Sequence, residues 1–106
     1  MDYSKMSDFE INKAVGESTG EALNTEETLN LVIRNSTGRR FDPCNSWADA
    51  GPIIAESKIN IEFHEWKNDV IKPYAMNSRT GLATYHENPL RAAMIVFLMM
   101  HDKGEE

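Results

Sequence analysis

Hydrophobic and polar positions change period several times along the chain, and each change predicts an element. Ser7-Asp8-Phe9-Glu10 fits a capping box, in which the serine hydroxyl and the glutamate carboxylate satisfy backbone donors at a helix start. Met6 and Ile11 can close a hydrophobic staple around it, and Phe9, Ile11, Ala14 and Val15 make a narrow apolar stripe. This predicts a short helix over residues 8–16, with Gly16 and Gly20 as exits. Residues 16–28, GESTGEALNTEET, are acidic and rich in Gly, Ser and Thr, and read as a flexible connection. Leu29, Leu31 and Ile33 then alternate with polar residues, the period of a half-buried strand. NSTGRR, residues 35–40, is a turn, and Phe41 resumes extended chain before Pro43.

Ser46 and Asp49 repeat the capping logic and predict a short or kinked helix over 46–57, interrupted by Gly51-Pro52 because proline removes an amide donor. Ile59, Ile61 and Phe63 alternate more strictly and predict a second strand. Residues 65–78 are ambiguous, with a strand over 70–76 broken by Pro73, and 81–85 reads as a last strand. Asn88-Pro89 opens the final helix as N-cap and first helical residue. From Ala92 to Met100 every residue is apolar, and a polar tail, 101–106, follows. Such a run falls short of the roughly 20 residues needed to cross a bilayer, and Arg91 and His101-Asp102-Lys103 bound it, so no membrane span is expected. A helix apolar on all sides must be covered on all sides. Either it is the central core helix, or Met94, Phe97 and Leu98 meet a second copy in a homo-oligomer; the two are compatible. The expected fold is α+β, a small, mostly antiparallel sheet packed by two or three helices, in one domain spanning 1–106.

Composition narrows the function more than the fold. The 106 residues are 41% hydrophobic and 26% charged, which argues against wholesale disorder. A net charge of -6 argues against direct nucleic-acid binding. One cysteine, Cys44, permits no disulfide within the chain and suits a reducing cytoplasm. The opening MDYSKMSDFE lacks the basic and apolar regions of a secretory signal.

Few constellations carry catalytic chemistry. His64, His86 and His101 have no metal-ligand spacing, and no HExxH, CxxC, GxxxxGK[ST] or GxGxxG occurs, so neither a metal nor a cofactor is expected. Cys44 precedes a predicted helix start that would stabilise a thiolate, but no partner base accompanies it. The chain is not expected to be an enzyme. Binding is harder to set aside. Arg34, Arg39 and Arg40 form one basic cluster at a turn, and Trp47, Trp66, Tyr74, Arg79 and Tyr85 add planar surfaces. Arginine forks and aromatic planes hold phosphates and stack bases, which makes Arg39, Arg40, Trp47, Trp66 and Arg91 candidate ligand-binding residues. The plainer alternative makes the tryptophans core anchors and the arginines loop solubilisers.

FDPCNSWADAGPIIAESKINIEF, residues 41–63, NPLRAAMIVFLMM, residues 88–100, and the opening MDYSKMSDFEINKAV, residues 1–15, resemble the NinX-type family. This is a family of small proteins of unknown function from lambdoid phages and prophages of enteric bacteria. The resemblance implies a protein made in the host cytoplasm during infection, from a region of accessory genes, and gives no catalytic residues to carry over. Two classes of function follow. A counter-defence protein would bind a nucleotide-type signal or a host defence protein. An adaptor in phage recombination or late gene regulation would bind a host or phage protein. A third class, DNA mimicry, needs a stronger acidic bias than 17 acidic against 11 basic residues. A nucleotide pocket requires the candidate arginines and tryptophans to converge on a concavity, whereas an adaptor requires an exposed apolar or acidic patch without one.

Overall fold

The computed structural model describes residues 2–104, and residues 105 and 106 of the expected tail lie outside it. The fold is α+β, with three helices and two small antiparallel sheets. A 3-10 turn, Tyr3–Lys5, leads into α1, Asp8–Ser18. The Ser7–Glu10 capping box forms in full, so the helix starts where the pattern placed it. It runs past Gly16 because that glycine is no exit: a Cβ there would collide with Leu23 and lie 3.3 Å from the Phe41 ring. The glycine lets the next strand cross close to the helix.

The expected flexible connection instead contains β1, Leu23–Glu26, which pairs antiparallel with β2, Leu31–Arg34. The alternation reading of that second strand fails in register. Leu29 is exposed in the connecting turn, Asn30 takes a positive φ, and the fully buried residue of β2 is Val32, between the two positions expected to face inward. Of the three spaced aliphatics Leu29 belongs to the turn, so the period-2 pattern points to a face one residue out of step with the buried Val32.

α2, Trp47–Ser57, carries Pro52 in its interior. The missing Pro52 amide leaves the carbonyl four residues back, that of Ala48, without its helical donor, yet the helix continues to a left-handed cap at Lys58. β3, Ile59–Glu65, pairs along its whole length with β4, Ile71–Asn77, and β4 pairs with β5, Ala83–Tyr85. Between β3 and β4, Asn68 and Asp69 both take positive φ, which Asn and Asp tolerate better than most residues. The Trp66 amide donates to the Val70 carbonyl at 2.6 Å and closes the hairpin.

Hydrogen bonds at the two ends of β4 fix its ladder. The Asn77 amide bonds to the Leu82 carbonyl, and the His86 amide to the Pro73 carbonyl, so odd-numbered residues of β4 direct their backbone toward β5. Pro73 is therefore tolerated in a central strand: the donor it lacks would point past the end of β5, not into the pairing with β3.

α3, Pro89–Gly104, fills the centre of the molecule. Asn88 caps it, its Oδ1 accepting from the Leu90 and Arg91 amides at 2.9 and 3.2 Å. The helix continues through residues 101–104, which had read as tail. The β3–β4–β5 sheet covers one side, while α1 and α2 cover the others. Every residue from Leu90 to Leu98 is buried, so Met94, Phe97 and Leu98 are enclosed by their own chain. The surface expected from these three for an oligomer is already occupied: two helices and a sheet suffice to wrap an all-apolar helix in a chain this size. Among the described residues no helix is long and apolar enough to cross a membrane.

Candidate functional site

Two polar assemblies stand out, one internal and one on the surface. The internal one begins with Arg91, near the start of α3 and only 7% exposed. Its Nη1 donates to Asp8 Oδ1 at 2.6 Å, and its Nη2 to the backbone carbonyls of Tyr3 at 3.3 Å and Met6 at 2.5 Å. One guanidinium thus ties the chain's first turn and the start of α1 to the central helix. Its Nε is buried without a partner.

The segment Asp42–Ser46 folds against the same region. Asn45 and Ser46 amides turn back onto the Asp42 carbonyl, and Asn12 of α1 donates to Asp42 Oδ1 at 2.8 Å while accepting from the Cys44 amide at 3.1 Å. Asn45 bridges Asp8 and Asp42, and Asn88 donates to the Cys44 carbonyl at 2.7 Å. Burial alone would raise the Asp8 carboxyl, but hydrogen bonds from Arg91 and Asn45 and the Arg91 charge together hold it below its ordinary value. His86 is held below the ordinary histidine value, first by burial and then by the Arg91 charge. Burial and the neighbouring Asp8 push the Cys44 thiol up to about 12. The expected thiolate-stabilising effect of a following helix is overridden, because the sulfur is fully enclosed beside a carboxylate and α2 starts three residues away. This network joins elements; it leaves no nucleophile poised at neutral pH.

The second assembly lies on the face of the β3–β4–β5 sheet that points away from α3. His64 stacks on Tyr74 with centroids 4.5 Å apart and planes inclined 22°, and Tyr74 and Tyr85 lie 4.6 Å apart. Trp66 meets Tyr85 edge-on at 5.4 Å, and Lys72 Nζ stands 5.8 Å above the indole. His64 is fixed at both nitrogens: Nδ1 is 2.7 Å from the Tyr85 hydroxyl and Nε2 2.9 Å from Glu62 Oε1. The Glu62 carboxylate takes the Nε2–H, and the Tyr85 hydroxyl, able to donate or accept, completes the bond at Nδ1. The register places these groups together: Glu62, Tyr74 and Tyr85 form one row across the three strands, with His64 and Lys72 in the next. At the hairpin's far end Phe63, Trp66, Val70 and Ile71 are 62%, 50%, 55% and 61% exposed.

The five expected ligand-binding residues do not converge. Arg91 is buried in the internal network, away from solvent. Arg40 lies 3.4 Å from the Asp42 carboxylate and borders a cleft of about 240 Å³ that Asp8, Asn12 and Asn45 also line, but none of the other four lines it. Arg39 is an exposed turn residue, Trp47 projects from the start of α2 at 59% exposure, and Trp66 belongs to the sheet face. The reading of both tryptophans as core anchors is also overturned, since the core closes around Phe41, Ile11, Met94 and Val32 instead. Sequence reasoning missed the grouping of His64, Tyr74 and Tyr85. The signal available was the even spacing of His64 and Trp66 and of Lys72 and Tyr74 in two strands, on the side opposite Ile59, Ile61 and Ala75; it becomes usable only once the β3–β4 register is known.

The family model of bacteriophage P22 NinX matches residues 2–101. No curated protein matches the chain. No solved structure matches it either.

Proposed function

This chain belongs to the bacteriophage P22 NinX family, and we propose that it is a non-enzymatic phage accessory protein that acts in the host cytoplasm by binding another protein. The observation that carries the reading is the aromatic face of β3–β4–β5, where Trp66 and Tyr85 stand exposed beside Val70 at the hairpin end, while Phe63 and Ile71 are exposed on the other side of the same hairpin. Aromatic residues are enriched at the centres of protein interfaces because they give much contact area for little lost side-chain freedom. The His64–Tyr85 and His64–Glu62 bonds hold this face rigid before any partner arrives, which lowers the ordering cost of binding.

The geometry favours a protein partner over a nucleotide. A sequestered signal needs cations around a concavity, whereas Arg91 is spent inside the fold and Arg40 faces Asp42. Single-stranded nucleic acid would also use stacked rings, but on this face Lys72 is set against the Glu62 carboxylate and the chain carries -6 overall. Counter-defence through a bound defence protein, and an adaptor role in recombination or late gene regulation, both use such a surface; the identity of the partner separates them. The test is co-purification from infected host cells, with the intact chain compared against a Trp66→Ala, Tyr85→Ala double variant. A partner retained by the first and lost by the second, at unchanged melting temperature, is the expected result. A nucleotide mass retained in native mass spectrometry, with equal protein capture by both chains, would overturn it.

A further inference from the structure

Among the described residues the two sheets have four outer strand edges, and that of β2 is covered by residues 39–41 through the Ile33–Arg40 bridge and the Phe41 amide on the Val32 carbonyl, which leaves those of β1, β3 and β5. Natural proteins protect such edges by shortness, proline, inward charge or bulges. β1 has four residues and β5 three, and both are protected by shortness. β3 has seven, INIEFHE, with no proline or glycine and an unbroken register against β4. Because odd residues of β4 bond toward β5, its even residues bond toward β3, and the register then turns the amides and carbonyls of Ile59, Ile61 and Phe63 to the free edge. The same residues carry apolar side chains, of which Phe63 is 62% exposed.

We propose that the free edge of β3 pairs antiparallel with β3 of a second copy, with Ile61 facing Ile61 across a two-fold axis. Every register centred on a β3 residue satisfies the outward backbone groups, and those that overlap five or more residues of each strand centre on Ile61, Glu62 or Phe63. Centring on Glu62 opposes two carboxylates and sets Ile59 against Glu65; centring on Phe63 sets Ile61 against Glu65. Like charges directly opposite, or an apolar residue facing a charge, weaken a sheet. Centring on Ile61 sets Ile59 against Phe63, Ile61 against Ile61 and Asn60 against Glu62. It also brings Lys58, beside the strand's start, toward the end where the second copy carries Glu62 and Glu65, so the charges there are opposite. The result is a six-stranded sheet, β5–β4–β3–β3–β4–β5, that carries two aromatic clusters on one face. This pairing stands apart from the binding reading, since a dimer forms whether or not that face holds a partner.

The test is analytical ultracentrifugation of the intact chain at tens of micromolar, joined to cysteine cross-linking. In an antiparallel hydrogen-bonded pair the Cα atoms lie about 5.5 Å apart, within disulfide reach. Ile61→Cys is expected to give a disulfide-linked dimer roughly ten times faster than Glu62→Cys or Lys13→Cys, whose counterparts lie farther apart. Cys44 is buried and does not compete. The wild-type mass is expected at twice the 12.0 kDa chain, and Phe63→Lys, at an exposed position, is expected to return it to one. A wild-type monomer, or a dimer whose cysteine at position 61 links no faster than the controls, would overturn the pairing.

Discussion

Arg91 shows how much a single side chain can decide. The sequence placed it as a lone cation before an apolar helix and allowed it to be a ligand contact; only the fold reveals three acceptors around it. Arg91→Ala is expected to lower stability by about 2–4 kcal/mol in denaturant unfolding, because it strands Asp8 and two carbonyls. Arg91→Lys should recover only part of this, since an ammonium cannot fork to three acceptors. The same neighbourhood makes stability depend on pH. His86 has a lowered value in the fold, so the unfolded chain takes up its proton first; its contribution is present above 6.5 and is lost as pH falls from there through the lower folded value. Asp8, also lowered, adds a second loss as pH falls below 3.8. Melting temperature should therefore decline in two steps on acidification, with Asp8→Asn shrinking the lower one, to which Glu10, lowered by its capping-box bonds to Ser7, also contributes. Cys44, buried and with its thiol raised to about 12, should react with a thiol reagent only at the rate of unfolding.

At the level of elements, the capped and periodic parts were legible. Ser7 with Glu10, Ser46 with Asp49, and Asn88 with Pro89 each announce a helix start that local hydrogen bonding decides, and all three helices begin there. Long-range packing decided the rest. β1 was hidden because its burial is slight and its partner lies across a turn, so no side-chain period betrays it. The uniform apolarity of residues 92–100 correctly announced a helix covered on every side, but a sequence cannot say whether its own chain provides the cover. Met94→Ala tests that enclosure: a site walled in by the chain's own elements should cost about 2–5 kcal/mol and leave the oligomeric state unchanged. A surface shared between copies would change mass as well. The candidate site was legible only in its materials. Trp66 and Tyr85 were visible as planar residues, yet they are 19 positions apart and meet through β4, whose pairing no local pattern fixes.

Over the whole molecule, the apolar helix and the internal polar network account for stability, and the sheet's outer face is the surface we propose for recognition. The molecule turns its buried chemistry inward, with Cys44, Arg91 and Asn12 all committed to joining elements, and presents rings rather than reactive groups to solvent. Binding by this face is the central claim, and its most direct test is a photo-crosslinking residue placed at Trp66, with the same residue at Lys13 on α1 as control, irradiated in host cells during phage infection. Position 66 is expected to give one discrete protein adduct that is absent from position 13. Equal labelling from both positions, or no adduct from position 66 while the protein is folded and present, would contradict it.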